Sequence, residues 1–158
     1  MIGPILPEHH PAILAMNAEF LPWLGHLDAE KLDEMLSSAT YARQIGGGEG
    51  VLIAFDHNAG YSHKCLDWQA AHFDAFLYID RIIIAKDAHG RGHGRALYAD
   101  IERFARKHAY PRLVCEVNTK PDNPRSHRFH LDLGFVPVAD IDYPAYNAVL
   151  RYYEKPLL

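Results

Sequence analysis

The sequence predicts one α/β domain with a mixed sheet, not a strict alternation of parallel units. Three observations predict it. Residues 76–84 form a strongly apolar run with strand character. A glycine-rich loop follows at 87–94, and behind it Leu97, Ile101, Phe104 and His108 recur at helical spacing. Strand-like and helix-like segments flank this unit without a regular βα repeat.

Each element has its own reason. Residues 2–6 read as a short strand. Ile13, Met16 and Phe20 share one face of a first helix. Asp28 precedes Ala29-Glu30-Lys31 as an N-cap, and Leu32, Met35 and Leu36 give that second helix its apolar stripe. Residues 41–45, a glycine turn at 46–50, and residues 51–55 read as a hairpin. Residues 56–74 carry no clear period but hold Tyr61, His63, Trp68, His72 and Phe73, so a long loop with a function is expected there. The 76–84 run suits a central strand buried on both faces. Pro111 ends the helix after the glycine loop, and residues 113–118 form the next strand. Asn123-Pro124 opens another helix, capped by Asn123, and Gly134 closes it in a left-handed conformation. Residues 135–141 and 146–154 complete the sheet.

A length of 158 residues fits a single domain, 1–158, with a core that needs neither disulfides nor metal. The net charge of -4 provides no global field for nucleic acid or an anionic membrane. Cys65 and Cys115 are too few and too far apart for a disulfide framework. No signal-peptide pattern and no membrane-spanning run is read, so a cytoplasmic location is expected by default. His63, Cys65 and His72 lack the paired spacing of a metal site, and none is expected.

The loop His89-Gly90-Arg91-Gly92-His93-Gly94-Arg95 carries the chemistry. Alternate glycines let a ligand approach the backbone closely. The following helix offers free N–H groups and a positive dipole end, and Arg91 and Arg95 add charge. A diphosphate suits that site best. A P-loop would need Gly-Lys-Ser/Thr where Gly94-Arg95-Ala96 stands. A dinucleotide fold would need a different glycine spacing close behind the strand, although Glu116 lies about one helix downstream, as that fold requires.

Residues 82–97 resemble the acetyl-CoA motif of the GNAT acetyltransferase family, Arg/Gln-x-x-Gly-x-Gly/Ala between a strand and a helix. Asn123, Ser126, Phe129, His130, Gly134 and Phe135 resemble a second segment of that family. The resemblance covers roughly residues 76–155. It implies a GNAT acyl-CoA N-acyltransferase fold, with a mixed sheet splayed between the strands ending near Ile84 and starting near Leu113. It implies acetyl-CoA as cofactor, its diphosphate on the main chain of His89 to Arg95. The pantetheine arm would run beside Ile82, Ile83 and Ile84, with Asn123 and Ser126 on the far side. His89 stands where the family has Arg or Gln. His130 stands where a tyrosine often protonates the departing thiolate.

Acetylation of an amine needs a base, because alkyl amines are mostly protonated at neutral pH. Glu116 is the first choice, and Asp80 the second choice or an anchor for the substrate ammonium. Either carboxylate could instead form a structural ion pair with Arg81, Arg112 or Arg151. His130 is either the thiolate acid or a packing residue. Tyr61, Trp68 and Phe73, with Phe20, Trp23 and Tyr41, are candidates for the acceptor pocket or for ordinary core. The function expected is acetyl transfer from acetyl-CoA to a primary amine by direct attack in a ternary complex, on a small molecule or a peptide. A non-catalytic acyl-CoA sensing module is the alternative. Self-association as a homodimer is an option.

Overall fold

The computed structural model describes residues 1–61 and 63–158. Strand β1 (Ile2–Pro4) leads through a 3-10 turn to helices α1 (His10–Glu19) and α2 (Ala29–Ser38). Strands β2 (Tyr41–Ile45) and β3 (Gly50–Asp56) form the hairpin. Helix α3 (Lys64–His72) and strand β4 (Leu77–Ile84) follow, then α4 (His93–Lys107) and β5 (Arg112–Lys120). Helix α5 (Pro124–Asp132) and strands β6 (Val136–Tyr143) and β7 (Ala148–Pro156) end the chain.

The seven strands form one sheet in the order β1-β2-β3-β4-β5-β7-β6. All neighbours are antiparallel except β4 and β5, which run parallel. That parallel pair meets over only two rungs, Leu77 with Leu113 and Tyr78 with Val114. Beyond Tyr78 the strands part, as the splayed sheet requires. On one face Ile13, Met16, Leu32 and Met35 pack with Val51, Phe55, Phe76 and Tyr78. On the other, Leu97, Tyr98, Ile101 and Ala105 of α4 pack with Leu52, Ile79, Leu113 and Phe135. Each helical stripe thus covers one side of a sheet whose central strands are buried on both.

Local signals hold where they are geometric. The Asp28 carboxylate accepts from the Lys31 N–H at 2.8 Å, a true N-cap. Gly134 has φ +93°, and the Phe135 N–H donates to His130 O at 3.1 Å, a left-handed helix end. Three readings need correction. Residues 64–72 are helix, not loop. Asn123 makes no side-chain cap hydrogen bond; Pro124 at the first helical position sets that start instead. Tyr146 belongs to a 3-10 turn before β7, not to the strand. None of the described helices is long and apolar enough to cross a membrane.

Helix α4 ends on a strained residue. Ala109 has φ +61°, and the Tyr110 N–H donates to Ala105 O at 2.9 Å. A Cβ in the left-handed region costs about 1–2 kcal/mol, while glycine gives part of that back to the unfolded chain. Ala109→Gly is therefore expected to raise stability by about 0.5–1 kcal/mol and the melting temperature by roughly 1–4 °C. Calorimetry showing a lower melting temperature would refute this strain.

Candidate active site

The site grows out of the splay. Asp80 on β4 and Glu116 on β5 each stand two positions past the last rung, Tyr78–Val114. The β3–β4 register skips Asp80, passing from Ile53–Arg81 to Ala54–Ile79. This bulge bends the strand and breaks its alternation, so Asp80 and Arg81 face the same cavity. Their side chains lie 3.2 Å apart, Asp80 Oδ2 to Arg81 Nε, and both are almost completely buried. Arg81 also donates to Asn17 Oδ1 at 2.7 Å and to Gly25 O at 2.8 Å. The ion pair weighed for Asp80 is therefore present, inside the cavity.

That cavity measures about 310 Å³. Asp80, Arg81 and Glu116 line it together with His63, Lys64 and Cys65 from the start of α3. Pro22 to Gly25, from the α1–α2 connection, form another wall, and Asn118, Tyr146, Ala148 and Leu150 complete it. The Trp23 indole N–H donates to Asp122 O at 3.0 Å, tying the α1–α2 connection to the loop after β5. Of the aromatics weighed for a pocket, only Trp23 lines it. Tyr61 stacks on Phe55, Trp68 stacks on Tyr152, and Phe20 stacks on His89. Phe73 lies against the Arg112 guanidinium, and the Tyr41 hydroxyl donates to Asp100.

Glu116 is a strongly perturbed carboxyl in the cavity. The Tyr78 hydroxyl donates to Glu116 Oε1 at 2.9 Å, while Oε2 is buried with no hydrogen-bond partner among the described residues. Burial, reinforced by the charge of Asp80, pushes the Glu116 carboxyl up to about 8. Burial also raises Asp80, against the pull of Arg81 and Lys31. A buried carboxyl raised to about 8, beside a second one in the same cavity, is suited to taking up and giving back a proton near neutral pH.

Sequence reasoning missed the α3 wall. His63 caps α3, its Nδ1 accepting from the Cys65 N–H at 3.2 Å. Burial lowers its pKa, so the ring is neutral and its proton sits on Nε2. Cys65 is pushed up by burial, which makes it a poor nucleophile. The aromatic- and histidine-rich composition of residues 56–74 was the available signal: His63, one of the residues it singled out, lines the cavity, while Tyr61, Trp68 and Phe73, weighed for the acceptor pocket, do not. His72 instead stacks on Trp68.

The glycine loop separates into two parts. Gly90 and Gly92 have φ +83° and +81°, and a Cβ on either would meet open space. Gly92 is the N-cap of α4, so its open side is also where the helix presents free N–H groups. Gly94 is different. A Cβ there would come within 3.0 Å of Phe129 Cζ, so this glycine permits close packing of α4 on α5. The His89 imidazole turns back onto Ile84 O at 2.8 Å. Arg91 and His93 reach Glu49 at the end of the β2–β3 turn, and Arg95 is exposed.

Ile82, Ile83 and Ile84 pair with Leu52, Val51 and Gly50 of β3. The Ala85 N–H donates to Glu49 O on that same side. Alternation then turns the main-chain groups of Ile82 and Ile84 to the opposite edge, where β5 has splayed away.

His130 is sealed in the core, 3% exposed. Its Nε2 lies 2.6 Å from the Tyr98 hydroxyl and its Nδ1 2.8 Å from Ser126 O. Nδ1 therefore carries the proton for the carbonyl and Nε2 accepts from Tyr98. Burial drives its pKa down to about 4. A neutral ring with both nitrogens engaged is at odds with a thiolate acid. The Ser126 hydroxyl is 3.4 Å from the same Nδ1, and Asn123 sits at the mouth of α5 with no side-chain cap bond.

Comparison with known proteins agrees with this fold. The model of the family described as Acetyltransferase (GNAT) family matches residues 20–135. Curated proteins give no match. Among solved structures, Ard1 from Thermoplasma volcanium superposes with a TM-score of 0.78 at 15% identity, covering 100% of this chain and 97% of that one. The ribosomal-protein-S18-alanine N-acetyltransferase of Escherichia coli gives 0.72 at 13% identity, covering 99% and 93%. Arabidopsis thaliana NAA60 in complex with acetyl-CoA gives 0.74 at 12% identity, covering 99% and 98%. These likenesses carry the fold, and the family match carries the class: the chain belongs to the GNAT acetyltransferase family and is an acetyl-CoA-dependent N-acetyltransferase.

Proposed function

We propose that this enzyme acetylates a primary amine by direct attack in a ternary complex, with Glu116 taking the amine proton and Asp80 holding the incoming ammonium. The observation that carries this reading is the convergence of both carboxylates on one cavity at the point where β4 and β5 part. A cation entering between two buried carboxyls favours their ionised forms, so substrate binding itself prepares the base. Acetyl-CoA supplies the thioester carbonyl that the amine attacks.

The residues present fit that cofactor. The free edge offers an extended arm the N–H and carbonyl of Ile82 and the N–H of Ile84, whose carbonyl is taken by His89. The open faces of Gly90 and Gly92, at the start of α4, suit the diphosphate. Arg91 and Arg95 supply local charge, His93 a ring nitrogen, and Asn123 and Ser126 border the far side. His89 contributes its main chain, because its ring is spent on Ile84 O. Gly94 serves by letting α4 sit close to α5. His130 holds α5 against Tyr98 and does not donate the proton to the thiolate, which cleft water supplies.

A peptide α-amine is the first acceptor to test. The cavity is walled by two chain connections, around Trp23 and around Tyr146, between which an extended segment can lie. The structural neighbours include an enzyme named for a ribosomal-protein alanine, and a NatC complex bound to a Gag peptide and CoA. The test is release of free CoA thiol from acetyl-CoA across a panel of peptides and small amines. Amine-dependent release is the expected result. Cofactor binding without release from any amine would favour a sensing module.

A further inference from the structure

The β2–β3 turn contacts the glycine loop through a carboxylate. Glu49 Oε1 lies 3.3 Å from Arg91 Nη1, and its Oε2 lies 2.9 Å from His93 Nε2. Arg91 and His93 alternate with Gly90 and Gly92 on the loop assigned above to the diphosphate. The charge of Glu49 therefore sits beside the place where an anion must settle, and occupies two side chains suited to receive it.

The turn holds its place without the carboxylate. Glu49 O accepts from the Ala85 N–H at 2.8 Å, and the Gly48 N–H donates to Gln44 Oε1 at 3.0 Å. The side chain can thus change while the main chain stays. The Arg91 contact is open to water, with the Glu49 side chain 40% exposed and that of Arg91 56%, while the His93 side chain is 17% exposed. The pairing is exchangeable and its strength depends on salt.

We propose that Glu49 sets cofactor affinity, competing with the diphosphate for Arg91 and His93 and so favouring release of CoA after transfer. The inference rests on the diphosphate placement proposed above. An enzyme that must shed CoA each cycle gains nothing from binding product as tightly as its loop allows. A neighbouring carboxylate weakens a bound anion without dismantling the amides that orient it.

The test is calorimetric titration of CoA into the parent, Glu49→Gln, Glu49→Ala and Gly92→Val, at low salt and at about 1 M salt. Removing one negative charge near the diphosphate is expected to tighten CoA by roughly three- to thirty-fold at low salt, an effect that shrinks towards parity at high salt. Both Glu49 variants should move in the same direction. Equal or weaker binding at low salt overturns the proposal, because the carboxylate would then be neutral or would position the loop productively. Gly92→Val separates this failure from that of the site. If it binds CoA as well as the parent, the cofactor does not use the loop and both readings fall. If it loses CoA while the Glu49 variants show no gain, only the role of Glu49 falls.

Discussion

Replacing Glu116 by glutamine is expected to cut turnover at least tenfold, leave CoA binding intact, and stabilise the protein at alkaline pH. The activity loss follows from removing a placed base, which typically contributes roughly 10²–10⁴-fold. The carboxyl is raised to about 8 by burial and by Asp80, so the parent's kcat/KM should climb as pH rises through that region. The stability gain has the opposite origin. The folded group titrates near 8 and the unfolded one near 4.5, so between those values the folded protein holds a proton that the unfolded chain has lost. Parent stability therefore falls as pH rises from about 4.5 to about 8, at up to roughly 1.4 kcal/mol per pH unit. Glutamine does not titrate, so the variant's advantage opens across that window and is complete above it. Asp80 titrates in the same cavity, so the observed midpoint belongs to the pair. Turnover unchanged across the pH range would remove Glu116 from the mechanism. Denaturant midpoints with the same variant-to-parent gap at pH 5 and pH 9 would show that the carboxyl is not desolvated on folding.

His130 should make the protein sensitive to mild acid. Its ring titrates near 4 when folded, against 6.5 in the unfolded chain. Between those values the unfolded state binds the extra proton, so stability is lost as pH falls from about 6.5 to about 4. A depression of this size corresponds to roughly 3 kcal/mol, a large share of a small domain's total. His130→Gln retains one donor for Ser126 O and one acceptor for the Tyr98 hydroxyl but does not titrate. The variant should therefore lose less stability than the parent between pH 7 and pH 4.5, read as the difference in urea-unfolding free energy at the two values. Parallel pH dependences would deny His130 this role. Its turnover should remain within a few-fold of the parent's. A loss of a hundredfold with the fold intact would restore the thiolate-acid assignment.

What the sequence shows and hides has a physical pattern. The 76–84 run and the Leu97–Ile101 periodicity are local, and they became β4 and α4 nearly as read. Gly92 carries its meaning in its own backbone, which takes φ +81°. Gly94 has the same letter and the opposite reason, since only the fold brings Phe129 against it. Helix α3 escaped because its buried stripe is short and partly polar, with Cys65, Leu66 and Gln69, and because a histidine caps it. The carboxylates were legible as charges inside strong strands, but their shared cavity depends on a bulge at Asp80 that no residue pattern announces. Pro22 to Gly25 and Tyr146 meet the site only through tertiary packing. His130 was read by its chemistry, yet whether an imidazole is free to give a proton depends on what both its nitrogens touch.

The brief contact between β4 and β5 makes the sheet two plates joined by a two-rung hinge. An extended cofactor arm, placed as proposed above, would stand in for a missing strand and bond to the free edge of one plate. On the placement proposed above, catalysis and cohesion draw on the same gap: the arm that brings the acyl group lies where a strand is missing, and once it leaves, the two plates keep their two rungs and the cover of α4 across both.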